Sequence, residues 1–150
     1  MGLQVVIPGA RTSPPASENQ LQEVEQILGV RLPPQLRALY LECDGFREPK
    51  GNAKYLLSLT EEDTIGSLVS TTKFWWHEWR TISAPELQID FSPYLFFGSS
   101  SADEAWAIAL TGPPKIIGYH HHMGGEFETL GTDILEVFRT DFARYDDLAQ

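Results

Sequence analysis

Cys43 is the only cysteine of this 150-residue chain, and a lone thiol can act as a nucleophile where a base or a positive charge activates it. The preceding apolar residues recur at helical spacing, as Leu36, Leu39 and Tyr40. Cys43 thus falls on an apolar face near the end of a helix, where the helix dipole disfavours a thiolate. We predict a buried, unreactive thiol, and a single cysteine excludes an internal disulfide.

Three consecutive histidines, His120 to His122, are the second group whose side chains could bind a metal ion or titrate near neutral pH. Side chains that follow one another along a strand point to opposite faces. Only His120 and His122 could therefore share one ion, and two ligands fall short of the three or four that zinc sites use.

The glycine pair Gly124-Gly125 predicts a two-residue hairpin turn after these histidines. That turn would pair His122 with Phe127 and His121 with Glu128, so that neither face of the hairpin collects a complete ligand set. We therefore predict an ordinary hairpin with no metal and no cofactor. A pH-sensitive role for the imidazoles stays open at this point.

Aromatic residues crowd the segment 74–79, which contains Phe74, Trp75, Trp76 and Trp79. Trp76 and Trp79 can share one helical face, which leaves Phe74 on another. Tryptophan is enriched at binding hot spots, but a large aromatic side chain on a helix more often packs in a core. We expect most of these rings to be buried, with one or two left to line a groove.

The motifs of common enzyme classes do not occur in the chain. There is no glycine-rich phosphate loop, no Gly-x-Ser-x-Gly, no His-Glu-x-x-His and no paired-cysteine motif. The sequence therefore predicts a protein that is not an enzyme.

The charge balance is strongly acidic, with 21 Asp and Glu against 11 Lys and Arg and a formal charge of −10. Residues 1–50 hold five basic and six acidic residues, whereas residues 51–150 hold six and fifteen. Nucleic-acid binding needs a basic face, so this balance argues against a direct nucleic-acid partner and favours a basic protein. No apolar run is long enough for a membrane span and no secretory leader is visible, so we expect a cytoplasmic protein without membrane contact.

The hydrophobic pattern predicts an α+β domain with an N-terminal helix pair, a central antiparallel meander and a C-terminal helix. Residues 1–16 read as an extended lead-in, and residues 17–150 as a single domain. The predicted elements are helices over 18–28, from Pro33 towards Gly45, over 67–80 and from a cap at Thr132, with β segments at 55–59, 94–97, 105–110, 115–122 and 126–130. The helix over 67–80 is favoured, although threonine and tryptophan residues there would also suit a strand.

The acidic surface offers candidate partner contacts at predicted turns and helix starts. These candidates are Glu61, Glu62, Asp63, Asp103 and Glu104. Clustered carboxylates at exposed positions would attract a basic partner.

A family resemblance lies in the first third of the chain. Leu28-Gly29 and Leu32-Pro33 precede an apolar helix that reaches Tyr40, and Asp44-Gly45-Phe46 follows it. This order resembles the opening signature of the SUKH superfamily, although Asp44 stands where Asn is more usual.

Later segments also resemble elements of that superfamily. Residues 94–98 and 105–110 are similar to two of its strands, and residues 132–142 to its last helix, so the resemblance covers roughly residues 18–143. The turn 98–104 lacks the glycine-rich form often found there.

The resemblance implies a non-catalytic binding domain. The superfamily includes fungal cell-wall-synthesis regulators and bacterial immunity proteins that neutralise toxins, often nucleases. The chain is therefore expected to bind a cognate toxin or another basic protein; the alternative is a regulatory scaffold that docks a cellular protein through exposed aromatic side chains. Neither the toxin nor the oligomeric state follows from the resemblance.

Overall fold

Four-fifths of the chain is described by the computed structural model, namely residues 6–49, 53–61, 66–79, 89–100, 104–120 and 126–148. In chain order the elements are β1 (Arg11–Thr12), α1 (Glu18–Leu28), α2 (Pro34–Glu42), β2 (Phe46–Arg47), α3 (Leu68–Lys73) continued by a π-helix (Phe74–Glu78), β3 (Tyr94–Ser99), β4 (Ala105–Ala109), β5 (Ile116–His120), β6 (Glu126–Gly131) and α4 (Ile134–Leu148). The α+β class, the N-terminal helix pair and the C-terminal helix are confirmed.

Local signals define both ends of α1. The Ser17 hydroxyl accepts a hydrogen bond from the Gln20 backbone N–H at 3.2 Å, and the Gln20 side chain accepts one from the Ser17 backbone N–H at 2.8 Å. Gly29 ends the helix in the left-handed region at φ +68°, where a residue without Cβ is favoured. The helix 18–28 therefore has the predicted bounds.

The lead-in and α2 pack closely on the rest of the domain. Ile7 is fully buried, and β1 pairs with β2 in an antiparallel ribbon. The helix α2 starts at Pro34 and stops at Glu42, before Gly45, because Cys43 already has an extended backbone. Arg37 on α2 forms an ion pair with Glu25 of α1 at 3.3 Å.

The prediction of a regular strand at 55–59 is wrong. Only Leu56 bridges a strand partner, Phe46, while the Leu57 N–H donates to the Phe97 carbonyl at 2.8 Å. The segment runs between β2 and β3 and divides its backbone hydrogen bonds between them. It passes so close to β3 that a Cβ on Gly98 would lie 1.8 Å from the Tyr55 carbonyl oxygen.

The helix predicted at 67–80 is confirmed for the described residues 67–79, but it changes type. After α3 the backbone widens into the π-helix, which alters the angular spacing of the side chains. Trp75 and Trp79 consequently share the buried face, whereas Trp76 is half-buried. The expected pairing of Trp76 with Trp79 is therefore wrong.

The main sheet has the strand order β3-β4-β5-β6 and is antiparallel throughout, as the meander predicted. Side chains cover both faces. One face, with Phe97 and Trp106, packs against the helices through Phe138. The other face, with Phe96 and Tyr119, packs against the tryptophans of the π-helix. Burial on both sides holds the strand ends in fixed positions.

The register of the last hairpin differs from the predicted one. His120 pairs with Glu126 and Tyr119 pairs with Phe127, so five residues, 121–125, connect β5 to β6. The two-residue turn at Gly124-Gly125 and its pairing of His121 with Glu128 are therefore wrong. His121 and His122 lie outside the described residues.

Within the described ranges, no helix combines the length and the apolar character that crossing a membrane requires.

Candidate functional site

Glu104 is a buried carboxylate at the start of β4. The residue is 5% exposed, so it does not lie at the exposed position predicted for it, and its role as a partner contact stays a prediction. The turn from β3 holds it by two hydrogen bonds, from the Glu104 N–H to the Ser100 hydroxyl at 3.0 Å and from the Ser100 N–H to the Glu104 carbonyl at 2.9 Å. The Trp106 indole N–H donates to Glu104 Oε1 at 2.9 Å. The side chain therefore points inward, beside the core.

A glycine on the neighbouring strand makes room for this carboxylate. Gly118 pairs with Trp106 on one side and with Glu128 on the other. A Cβ at position 118 would lie 2.2 Å from the Glu104 carboxyl carbon. Any larger residue there would displace Glu104.

His120 and Glu128 complete a cluster around Glu104. His120 Nε2 lies 2.8 Å from Glu104 Oε2, and Glu128 extends from β6 at an exposed position. One ligand atom from each of the three side chains lies within 4.8 Å of the others. We call Glu104, His120 and Glu128 the Glu104 cluster.

The electrostatics of the Glu104 cluster favour positive charge. Burial raises the pKa of the Glu104 carboxyl above its ordinary value, and Glu128 adds to the rise, while the hydrogen bond from Trp106 and the His120 imidazole oppose it. An ionised Glu104 thus lacks full compensation from the protein. A proton or a cation beside it would supply what is missing.

A polar pocket of about 230 Å³ opens beside the cluster, between β6 and α4. Glu104, Glu128 and Asp141 line it together with one guanidinium, that of Arg144. The Tyr55 hydroxyl donates to Asp141 Oδ2 at 2.9 Å and fixes that carboxylate. Three carboxylates against one guanidinium give the pocket a negative potential.

A second candidate region is a groove between α2 and α4, with a volume of about 470 Å³. Apolar side chains form much of its lining, and Glu42 and Asp133 contribute carboxylates. We call this region the acidic groove; its lining consists of Gln35, Ala38, Leu39, Leu41, Glu42, Asp133, Ile134 and Leu135. Leu41 is 39% exposed, which is unusual for a leucine of this domain.

Gln35 links the two helices of the acidic groove, and Asp133 caps the second of them. The Gln35 amide donates to the Thr132 carbonyl and accepts from the Ile134 N–H, both at 2.9 Å. Asp133 accepts from the Leu135 N–H at 2.9 Å and therefore caps α4, in place of the predicted cap Thr132. These bonds fix the rim of the groove before any partner binds.

Of the remaining predicted contacts, Glu61 is the one that lies within the described residues. Glu61 is exposed and borders a different pocket, of about 220 Å³, whose lining includes Arg11, Arg47 and Lys54. Three further predicted contacts lie outside the described residues, namely Glu62, Asp63 and Asp103. Glu61 and Glu104 thus line separate pockets.

Cys43 is 1% exposed, which confirms the predicted buried thiol. Burial raises the pKa of this thiol to about 11, so the reactive thiolate is scarce at neutral pH.

Trp75 is also buried, and it stacks on Phe96 with ring centroids 5.1 Å apart. Trp76 is half-buried and donates its indole N–H to the Tyr94 carbonyl at 2.7 Å.

Sequence reasoning missed two features of the site. Glu128 was assigned to the face of His121 because the hairpin register was wrong. The exposed Leu41 was not predicted as a contact, because the apolar spacing of its helix indicates only which side chains are buried. A signal for Glu104 was present, since an acidic residue two positions before Trp106 shares its strand face.

The fold and the match to known families agree. The family described as SMI1 / KNR4 family (SUKH-1) matches residues 15–139, from the cap of α1 into α4. A search of curated proteins finds no significant match. The family match covers most of the chain and includes the segment that carried the SUKH resemblance, and we conclude that this chain belongs to the SMI1 / KNR4 family (SUKH-1).

Proposed function

We propose that this chain is a cytoplasmic immunity protein that binds a cognate bacterial toxin and neutralises it without catalysis. Two observations support the proposal: the family includes toxin immunity proteins, and the chain carries a formal charge of −10. A toxin with a basic surface is the natural complement. Nucleases have such surfaces because they bind phosphate backbones.

The acidic groove is the surface that best fits this partner, and its composition is the observation that carries the proposal. Leu41 offers exposed apolar area next to Glu42, and Asp133 adds charge across the groove. Apolar area surrounded by charge is the usual anatomy of an interface in which a few side chains supply most of the binding energy. The partner segment would present an apolar side chain flanked by Lys or Arg.

The surface around Glu61 is a weaker candidate for the same partner. Arg11, Arg47 and Lys54 line the pocket that Glu61 borders, so the local field is less negative than in the acidic groove. Contacts by Glu61, Glu62, Asp63, Asp103 and Glu104 remain part of the proposal, and those of Glu61 and Glu62 are tested below.

The alternative of a regulatory scaffold that docks a cellular protein through exposed aromatic side chains has no specific support. Trp75 and Trp79 are buried, and Trp76 is engaged with the Tyr94 carbonyl. The aromatic segment therefore stabilises the sheet.

Co-expression with the product of the adjacent gene tests the proposed function. If that product is a toxin, this chain should restore growth and co-purify with it. A toxic neighbour that the chain neither binds nor rescues would contradict the proposal, and so would a harmless one.

Three charge-reversal variants then locate the surface. Glu42→Lys should weaken rescue and slow association by about tenfold at low salt, because it inverts the charge at the acidic groove. Glu23→Lys is the matched control, since Glu23 is an exposed carboxylate on α1 away from the groove. If Glu61→Lys with Glu62→Lys has the larger effect, the partner binds near Glu61 and not at the groove.

A further inference from the structure

We propose that Glu104, His120 and Glu128 form a binding site for one divalent transition-metal ion, with Zn²⁺ as its representative. The Glu104 cluster combines one imidazole nitrogen with two carboxylate oxygens, one from the residue before β4 and one from β6. This inference goes beyond the proposed function, because it concerns the free protein and needs no toxin.

The donor set selects the class of ion. Imidazole suits zinc and its transition-metal neighbours, whereas calcium and magnesium prefer oxygen ligands alone. Three protein ligands leave a fourth tetrahedral position for water, as in many zinc sites. Two carboxylates also match the charge of a divalent cation.

The spacing of the donors is close to that of a bound site. His120 Nε2 and Glu104 Oε2 are 2.8 Å apart, and the whole ligand set lies within 4.8 Å. Ligand atoms around tetrahedral zinc are separated by about 3.3 Å, which follows from metal–ligand distances near 2.0–2.1 Å. Glu128 is exposed and His120 is partly exposed, so both side chains can adjust towards this spacing while the buried Glu104 stays in place.

The strongest indication of a ligand is a buried carboxylate oxygen that makes no hydrogen bond and faces an imidazole nitrogen. Glu104 is 5% exposed, and its Oε2 atom makes no hydrogen bond among the described residues; its close contact is His120 Nε2 at 2.8 Å, which is an ion pair only when the imidazole is protonated. Burial of a carboxylate oxygen is costly unless a donor or a positive charge faces it. A cation between Oε2 and the imidazole lone pair would remove this cost.

The site would also connect three consecutive strands. Glu104 directly precedes β4, His120 ends β5 and Glu128 lies within β6. An ion bound only to the folded arrangement stabilises the fold by mass action, so zinc should raise the unfolding temperature.

Calorimetric titration of the full-length, metal-stripped chain with zinc chloride at neutral pH tests the proposal. We expect one ion per chain, with affinity at least about tenfold weaker in His120→Ala and in Glu128→Ala. Both positions lie at the surface side of the cluster, and circular dichroism should show that the variants fold. Glu104→Gln should weaken binding in the same way.

Matched histidine variants test whether zinc binds to histidines outside the Glu104 cluster. His77→Ala removes an exposed imidazole of the π-helix, and His121→Ala with His122→Ala removes the neighbours of His120. These variants should keep the single site and the rise in unfolding temperature.

Two results would overturn the site. One is the absence of binding heat and of any thermal shift in the folded wild-type protein; the buried oxygen would then be satisfied by a proton. The other is binding that survives His120→Ala but disappears in the His121 and His122 variant. Neither result bears on toxin binding, which is measured separately.

Discussion

The acidic groove and the Glu104 cluster both contain carboxylates, but the protein places them in opposite environments. Glu42 and Asp133 sit at the solvent edge of two helices, whereas Glu104 is enclosed beside Trp106. Exposed charge costs little and acts at a distance on a partner. Buried charge demands a local counterpart. The same residue type therefore indicates recognition in one region and ligand binding in the other.

The largest expected effect is a loss of stability in α2, which distinguishes a core residue of this helix from a residue that serves recognition. Leu36→Ala should destabilise the domain by roughly 2–5 kcal/mol, because Leu36 is fully buried in the core. Leu41→Ala should change stability by less than about 0.5 kcal/mol, because Leu41 is substantially exposed. Urea denaturation measures both values. Similar losses from the two variants would mean that Leu41 is a structural residue and would remove the groove's apolar contact.

A smaller effect tests how tightly the Glu104 cluster is enclosed. Gly118→Ala should cost roughly 1–3 kcal/mol, because the added methyl group displaces the Glu104 carboxyl group. Combined with Glu104→Ala, the loss should be smaller than the sum of the single losses. Additive losses would show that the two positions do not interact. Gly29→Ala is a useful comparison, since nothing lies within 4 Å there and only its positive φ opposes the change.

Alkaline pH should weaken the fold through the buried face of α2, below the acidic groove. Burial raises the pKa of Cys43 from 9.0 to about 11, and burial also raises the pKa of Tyr40 well above its ordinary value. The folded state therefore keeps protons that the unfolded chain loses. This stability is complete below about pH 9 and is lost as the pH rises towards 11.

Thermal unfolding measured at several alkaline pH values tests this expectation. Cys43→Ala should flatten the decline between pH 9 and 11, and a wild-type unfolding temperature that is constant over that range would contradict it. A thiol reagent should label native Cys43 slowly and the unfolded chain rapidly.

The smallest effect concerns an exposed ion pair on α4. Glu136 and Arg139 contact each other one helical turn apart, and both side chains are more than half exposed. Glu136→Gln should change stability by less than about 0.5 kcal/mol, because water screens such pairs. A larger loss in urea denaturation would weaken the distinction between exposed and buried charge drawn above.

The bounds of α1 followed from local chemistry and could be predicted. Ser17, Gln20 and Gly29 define α1 through bonds made within a few residues. The meander was equally visible, because alternating apolar runs were separated by turn residues. Elements of this kind depend on short-range interactions, which can be predicted directly from the order of residues.

The predictions that were wrong concern features that depend on contacts between distant segments. The segment 55–59 has strand-like residues, but its position between β2 and β3 divides its hydrogen bonds. The register after His120 depends on a five-residue connection, and that register decides whether Glu128 meets His121 or Gly118. Glu104 looked like a turn carboxylate because nothing in its local sequence states that Gly118 will leave space for it.

The most direct test of the central claim is the association rate between the purified chain and the toxin encoded beside it. We predict that wild type binds with a rate that falls as salt rises, that Glu42→Lys lowers the low-salt rate by about tenfold, and that Glu23→Lys leaves it nearly unchanged. No measurable binding, or equal losses in the two variants, would contradict the assignment of the acidic groove as the surface that recognises the toxin.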